Sequence, residues 1–269
     1  MTLALDDRRR AMLAEMGLGG FVVLPLAPED RVPPEEAPAA VPRPAARPGP
    51  VVQPPSRQPS PSLVGRAPQP ASPVALLSWE ELRQAVTECR ACGLCDSRNT
   101  TVFGVGDPQP DWLLVGEAPG EQEDLQGEPF VGQAGKLLDN MLRAIGLDRQ
   151  RKVYIANVLK CRPPGNRNPD PAEVAQCEPF LRRQVELLKP RIILAMGRFA
   201  VQSLLGSAEP IGRLRGRVHH YQGVPLVVTY HPAYLLRNLP EKAKAWADLC
   251  LALEQLRGQA EAGSGNSGL

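Results

Sequence analysis

The chain has 269 residues, a formal net charge of +2 and only 4% aromatic residues. That length suits one large domain or two small ones, and the near balance of charge gives no global pull toward nucleic acid, leaving only local basic patches to consider. No run of about 18 apolar residues occurs, so no membrane-spanning helix is expected. Asp6, Asp7 and Glu15 break a signal-peptide pattern. A cytoplasmic protein is therefore expected, in which six cysteines read as metal-binding or catalytic rather than disulfide-forming.

Residues 1–26 read as a short amphipathic segment, with Met12, Leu13 and Met16 on one side, and are a candidate docking peptide for a protein partner. Residues 27–77 read as a disordered linker: 15 of the 30 prolines fall between Pro28 and Pro73. The folded part is expected over 78–258. It opens with the capping box SWEE, Ser78 to Glu81, and that helix ends at the first cysteine pair. The run WLLVG (112–116) predicts a buried strand. Leu137, Leu138, Met141, Leu142 and Ile145 predict a helix over 132–146. VYIANVL reads as a second strand, and a helix opened by Pro171 runs to about Lys189. RIILAMG is a third strand, RFAVQSLLG a short helix, PLVVTYH a fourth strand, and a last helix follows Pro240. Residues 259–269 read as a disordered tail. The alternation predicts a three-layer α/β/α fold around a central, mainly parallel four-stranded sheet. Unusual residues gather after three strands: GEAPG, the stretch from Asn157 to Asn168, and HPAYLL. In open α/β sheets that end of the strands is where ligands bind.

Cys89 and Cys92 form a C-x2-C pair, and Cys161 and Cys177 a wider one. Four thiolates suit Zn2+ or an iron–sulfur cluster, and the long second spacing favours the larger group without deciding the matter. Cys95 extends the first pair as a spare or alternative ligand. Cys250, in the apolar last helix, reads as a core thiol.

Together, the Cys89/Cys92 pair, GEAPG (Gly116 to Gly120), Glu123-Asp124, PFVG (Pro129 to Gly132), NVLKCRPP (Asn157 to Pro164), Asn166-Arg167, Cys177 and HPAYLL (His231 to Leu236) resemble the family 4, iron–sulfur uracil-DNA glycosylases. The likeness runs from about Ser78 to Gly258. It implies a DNA-repair enzyme that flips uracil from DNA and hydrolyses its N-glycosidic bond. It also implies a [4Fe–4S] cluster on Cys89, Cys92, Cys161 and Cys177, with Cys95 outside the set. Separately, the chain is expected to act as a monomer without a membrane role.

The resemblance assigns His231 to the uracil O2 and the leaving anion. The Asn157 amide offers the donor and acceptor that the O4 and N3–H edge needs. Phe130 is the candidate stacking ring, and Asn166 a substrate or phosphate contact. Some other uracil glycosylases place an Asp before the loop proline; this chain has Ala118 there. Glu123 is the preferred water-orienting residue, and Glu117 also shapes the pocket. Lys160, Arg162, Arg167, Arg213, Arg215 and Arg237 are the candidate backbone-binding cations, and Leu235 or Leu236 the filler of the vacated stack. Rival classes are an iron–sulfur electron-transfer protein and a zinc-dependent nucleic-acid-binding module without catalysis.

Overall fold

A computed structural model describes residues 73–264. The expected segment 1–26, the linker as far as residue 72 and residues 265–269 lie outside the described residues. The linker reading fails for its last residues, because Pro73–Leu76 form a 3-10 turn, and Val74 and Leu77 pack against the core. The first helix, α1 (Trp79–Glu88), carries the expected box: the Glu81 N–H donates to Ser78 Oγ, and the Ser78 N–H to Glu81 Oε2 at 2.8 Å. It stops at Cys89.

Six strands form one sheet: β1 (Val105–Gly106), β2 (Trp112–Gly116), β3 (Val153–Asn157), β4 (Ile192–Met196), β5 (Val218–Tyr221) and β6 (Val224–Thr229), in the order β1-β3-β2-β4-β6-β5. The four strands read from sequence are the parallel centre. Every residue of β2, β3 and β4 is buried, because helices cover both faces. The four-strand expectation is corrected by two antiparallel edges, β1 on β3 and β5 on β6. In register, Gly116 lies beside Asn157 and Met196 beside Thr229, so four carboxyl ends finish on one line.

The helices follow as α2 (Glu121–Gln126), α3 (Gln133–Ala144), α4 (Pro171–Leu188), α5 (Arg198–Leu205), α6 (Ile211–Leu214), α7 (Pro232–Arg237) and α8 (Lys242–Ser264). Leu114, Ile155, Leu194 and Val227 meet Leu138 and Met141 of α3 and Leu249 of α8 on one face. Leu113, Val115, Ile193 and Val228 meet Leu181, Val185 and Val201 on the other. A third cluster joins α1 to α4 through Leu82, Val86, Leu159 and Phe180, with Cys161 and Cys177 among them. After β2 and GEAPG, Glu123-Asp124 lies on α2. HPAYLL is helical from Pro232, and the last helix continues to Ser264 instead of ending before 259.

Candidate active site

The loops after β2, β3, β4 and β6 enclose an open cleft of about 830 Å3. It brings Glu117, Ala118, Glu123, Phe130, Asn157, Asn166 and His231 to one wall system. All seven substrate-site residues read from sequence thus meet.

Asn157 ends β3 and is buried, yet its Oδ1 has no hydrogen-bond partner. An unpaired buried amide oxygen is costly unless a ligand satisfies it. Gly116 makes the approach possible: a Cβ there would lie 2.4 Å from Asn157 Oδ1 and 2.6 Å from the Phe130 ring. Phe130 has φ +58, a region that L-residues visit only when held there. Arg149 holds it, its Nη1 donating to the Pro129 carbonyl at 2.9 Å and its Nη2 to the Phe130 carbonyl. Asp139 pairs with the Arg149 Nε. Gly135 admits the Phe130 carbonyl, which would lie 1.7 Å from any Cβ. Arg149, Asp139 and Gly135 escaped the sequence reading, and Gly116 entered it only as the last residue of WLLVG and the first of GEAPG.

His231 is the N-cap of α7, and its Nδ1 accepts from the Ala233 N–H at 3.2 Å. That bond makes Nε2 the N–H of the neutral ring. Burial pushes its pKa down to about 4, against the opposing pull of Glu123 and with a smaller push from Arg237. Part of its surface still opens on the cleft, where Phe130 stacks at 5.4 Å and 29°. Either charge state was open from the sequence; the structure selects the neutral ring.

Glu123 accepts three backbone N–H bonds, from Gly120 (3.1 Å), Val131 (3.0 Å) and Gly132 (3.2 Å). Its carboxylate therefore ties GEAPG to PFVG. Asp124, fully buried, likewise accepts from the Asn99 N–H, the Asn99 amide and the Thr100 N–H. Glu117 differs. Burial raises its pKa to about 7, partly offset by Arg198. A carboxylate poised there is suited to accept a proton near neutrality.

Asn166, at φ +54, lies on the exposed rim and its Oδ1 accepts from Arg162 Nε at 2.8 Å. The expected basic face is partly dismantled. Lys160 is buried, donating to the Asn157 carbonyl at 2.8 Å and to Gln184 Oε1 at 2.7 Å, and burial lowers its pKa to about 8. Arg215 is committed to buried Asp248 through two bonds of 3.0 and 2.9 Å, and Arg167 is paired with Glu173. Arg213 and Arg237 stay exposed, and Arg198 joins them. Leu235 is core, whereas Leu236 is 41% exposed, so of the two only Leu236 is free to enter a base stack.

Cys89, Cys92, Cys161 and Cys177 line one small pocket walled by Val86 and Phe180, with Cys95 on the same pocket. None is in a disulfide. Burial pushes the Cys177 thiol up to about 12, and Lys160 works against it. Arg98 Nη1 lies 3.0 Å from Cys161 Sγ. Two cations beside buried sulfurs fit thiolates that serve as ligands. Among the described residues no three Cys, His, Asp or Glu side chains converge closely enough to grip a single ion.

The family model described as the uracil DNA glycosylase superfamily matches residues 103–250, over half the chain. The match spans the cleft residues and the second cysteine pair. Among relatives, the type-4 uracil-DNA glycosylase of Archaeoglobus fulgidus is 44% identical over 167 residues, covering 59% of this chain and 83% of its own. Those of Thermotoga maritima (44%, 59% and 85%) and Sulfurisphaera tokodaii (42%, 60% and 77%) are similar. The chain belongs to the uracil DNA glycosylase superfamily, and within it to the type-4 uracil-DNA glycosylases.

Proposed function

We propose that the chain excises uracil from DNA, hydrolysing the bond between uracil N1 and deoxyribose C1′ and leaving an abasic site. The observation that carries the residue assignments is the unpaired, buried Asn157 Oδ1 at the floor of the cleft. It suits the uracil N3–H, while the amide nitrogen suits O4. Phe130 borders the same space and is the candidate stacking ring. As the glycosidic bond breaks, its electron pair passes to uracil, and the neutral His231 donates from Nε2 to the oxygen that gains charge. Water supplies oxygen to C1′, and its proton passes to Glu117, whose pKa of about 7 suits the task. Glu123 sets the loop geometry, and the small Ala118 leaves the place beside Pro119 without a carboxylate. Asn166 and Arg237 lie on the rim where the backbone of DNA would pass.

The same reading assigns Cys89, Cys92, Cys161 and Cys177 to a [4Fe–4S] cluster. Held there, the cluster would act as a cross-link, with Cys89 and Cys92 after α1, Cys161 after β3, four residues from Asn157, and Cys177 in α4 as the residues that would hold it. Their shared pocket and the flanking Arg98 and Lys160 support that reading. Action as a monomer in the cytoplasm, on single- or double-stranded DNA, belongs to the same proposal. Among the described residues no helix is long and apolar enough to cross a membrane. Release of free uracil from a uracil-containing oligonucleotide, in wild type and in Asn157→Ala and His231→Ala, tests it. Loss of release in both variants is expected; wild-type rates in both would remove the assignment.

A further inference from the structure

The cleft carries aromatic surface that base recognition by Asn157, Phe130 and His231 does not use. Phe199, in the first turn of α5, lines the cleft, and the Arg198 guanidinium lies over its ring at 4.5 Å. Tyr234, on α7, also lines the cleft and is 38% exposed; it stacks on Tyr230 at 5.1 Å and 26°. The two platforms rise from neighbouring strands, β4 and β6, and Gly197 packs directly on His231 between them. Phe199 is partly exposed and Tyr234 38% exposed beside the cleft, so each ring keeps a surface that a flat partner could cover. The charges agree: Glu117 and Glu123 lie inside the cleft, whereas Arg198 and Arg237 are exposed at its edge.

We propose that Phe199 with Arg198, and Tyr234 with Tyr230, are stacking platforms for unpaired bases flanking the flipped nucleotide, so that the chain binds single-stranded DNA more tightly than duplex. The proposal rests on the uracil-excision reading for its setting. In a duplex the flanking bases are already stacked on their neighbours and offer no free face. In a single strand every base offers one, and stacking on an aromatic ring or a guanidinium plane is tolerant of sequence.

The test is fluorescence anisotropy with the full chain and a labelled oligonucleotide that contains no uracil, single-stranded and as duplex. That probe separates platform binding from catalysis. Wild type is expected to favour the single strand. Phe199→Ala and Tyr234→Ala are each expected to weaken single-strand binding by about 5- to 150-fold, the loss of one base–aromatic stack, with little change for duplex. Phe199→Leu keeps the apolar bulk and still loses the flat face, so it is expected to behave like Phe199→Ala even if the alanine variant folds poorly. Equal affinity of wild type for both forms, or unchanged single-strand affinity in Phe199→Leu and Tyr234→Ala, would overturn the proposal. Uracil-free binding that follows the expected pattern without any uracil release would sustain the platforms and sink the excision reading instead.

Discussion

Gly197 and His231 are packed so tightly that a Cβ on Gly197 would lie 3.0 Å from the His231 Cβ. Gly197 also has φ +92, outside the range that L-residues adopt comfortably. Gly197→Ala is therefore expected to cost about 1–3 kcal/mol of stability, the usual range for a strained backbone position. It should also displace the His231 ring. Uracil release should fall by at least about tenfold, since an ångström of misplacement costs up to about a hundredfold. Thermal melts with single-turnover rates check both effects; a rate equal to wild type would show that this packing does not set the histidine.

His231→Ala removes the cleft donor and the side-chain cap of α7. Loss of one donor to a developing anion costs about 100- to 1000-fold in rate, and the cap about 1 kcal/mol. With a folded pKa of about 4 against an ordinary 6.5, unfolded chains bind more protons between those values. This group's contribution to stability is complete above pH 6.5 and is lost as pH falls through about 4. Wild type should then show a fall in stability across that window that His231→Ala lacks, measured by denaturant titration at pH 4 and 7.

Glu117 sets the opposite slope. Its folded pKa of about 7 exceeds the ordinary 4.5, so the folded state holds the proton longer. The group's effect on stability is most favourable below pH 4.5 and declines as pH rises to about 7. Acceptance of the water proton needs the carboxylate, so the single-turnover rate should climb with pH through about 7 and then level. Glu117→Gln should remove the step. A wild-type profile flat from pH 5 to 9 would exclude Glu117 as the acceptor.

The Phe130 loop rests on Arg149 and Gly135. Gly135→Ala sets a Cβ against the Phe130 carbonyl carbon and oxygen, which are backbone and cannot swing aside. Arg149→Ala frees the Pro129 and Phe130 carbonyls. Both variants should raise KM and lower kcat together while keeping far-UV circular dichroism. Unchanged KM in both would mean that the loop holds its shape without them.

Cys161→Ala and Cys177→Ala should lose the brown absorption near about 400 nm that an iron–sulfur cluster gives. Chemical iron analysis should fall with it. Wild-type protein that is colourless and carries zinc instead would return the quartet to the zinc reading.

The central sheet was legible because β2, β3 and β4 are short unbroken apolar runs, the mark of strands covered on both faces. The edges were not. Val105–Gly106 is two residues long, and Val218–Tyr221 carries His219 and His220, so neither has a periodicity to read. The residues that line the cleft were legible as motifs in the loops that follow the strands. The roles of cations and acids were not, because these depend on partners distant in the chain. Lys160 looks like a DNA contact until Gln184 and Phe103 enclose it, and Arg215 until Asp248 takes it. Glu123 looks free until the turn at Gly120 and the amides of Val131 and Gly132 close around it. Arg149, which holds the Phe130 carbonyl from 19 residues away, had no local signal at all.

Uracil release is the most direct measurement. Wild-type protein is incubated in EDTA with an oligonucleotide carrying one uracil, and free base and alkali-labile sites are quantified alongside His231→Ala and Asn157→Ala. The account predicts equal amounts of free uracil and abasic sites from wild type, and rates at least about 100-fold lower in His231→Ala. Absence of free uracil, or release that is undiminished in both variants, would contradict it.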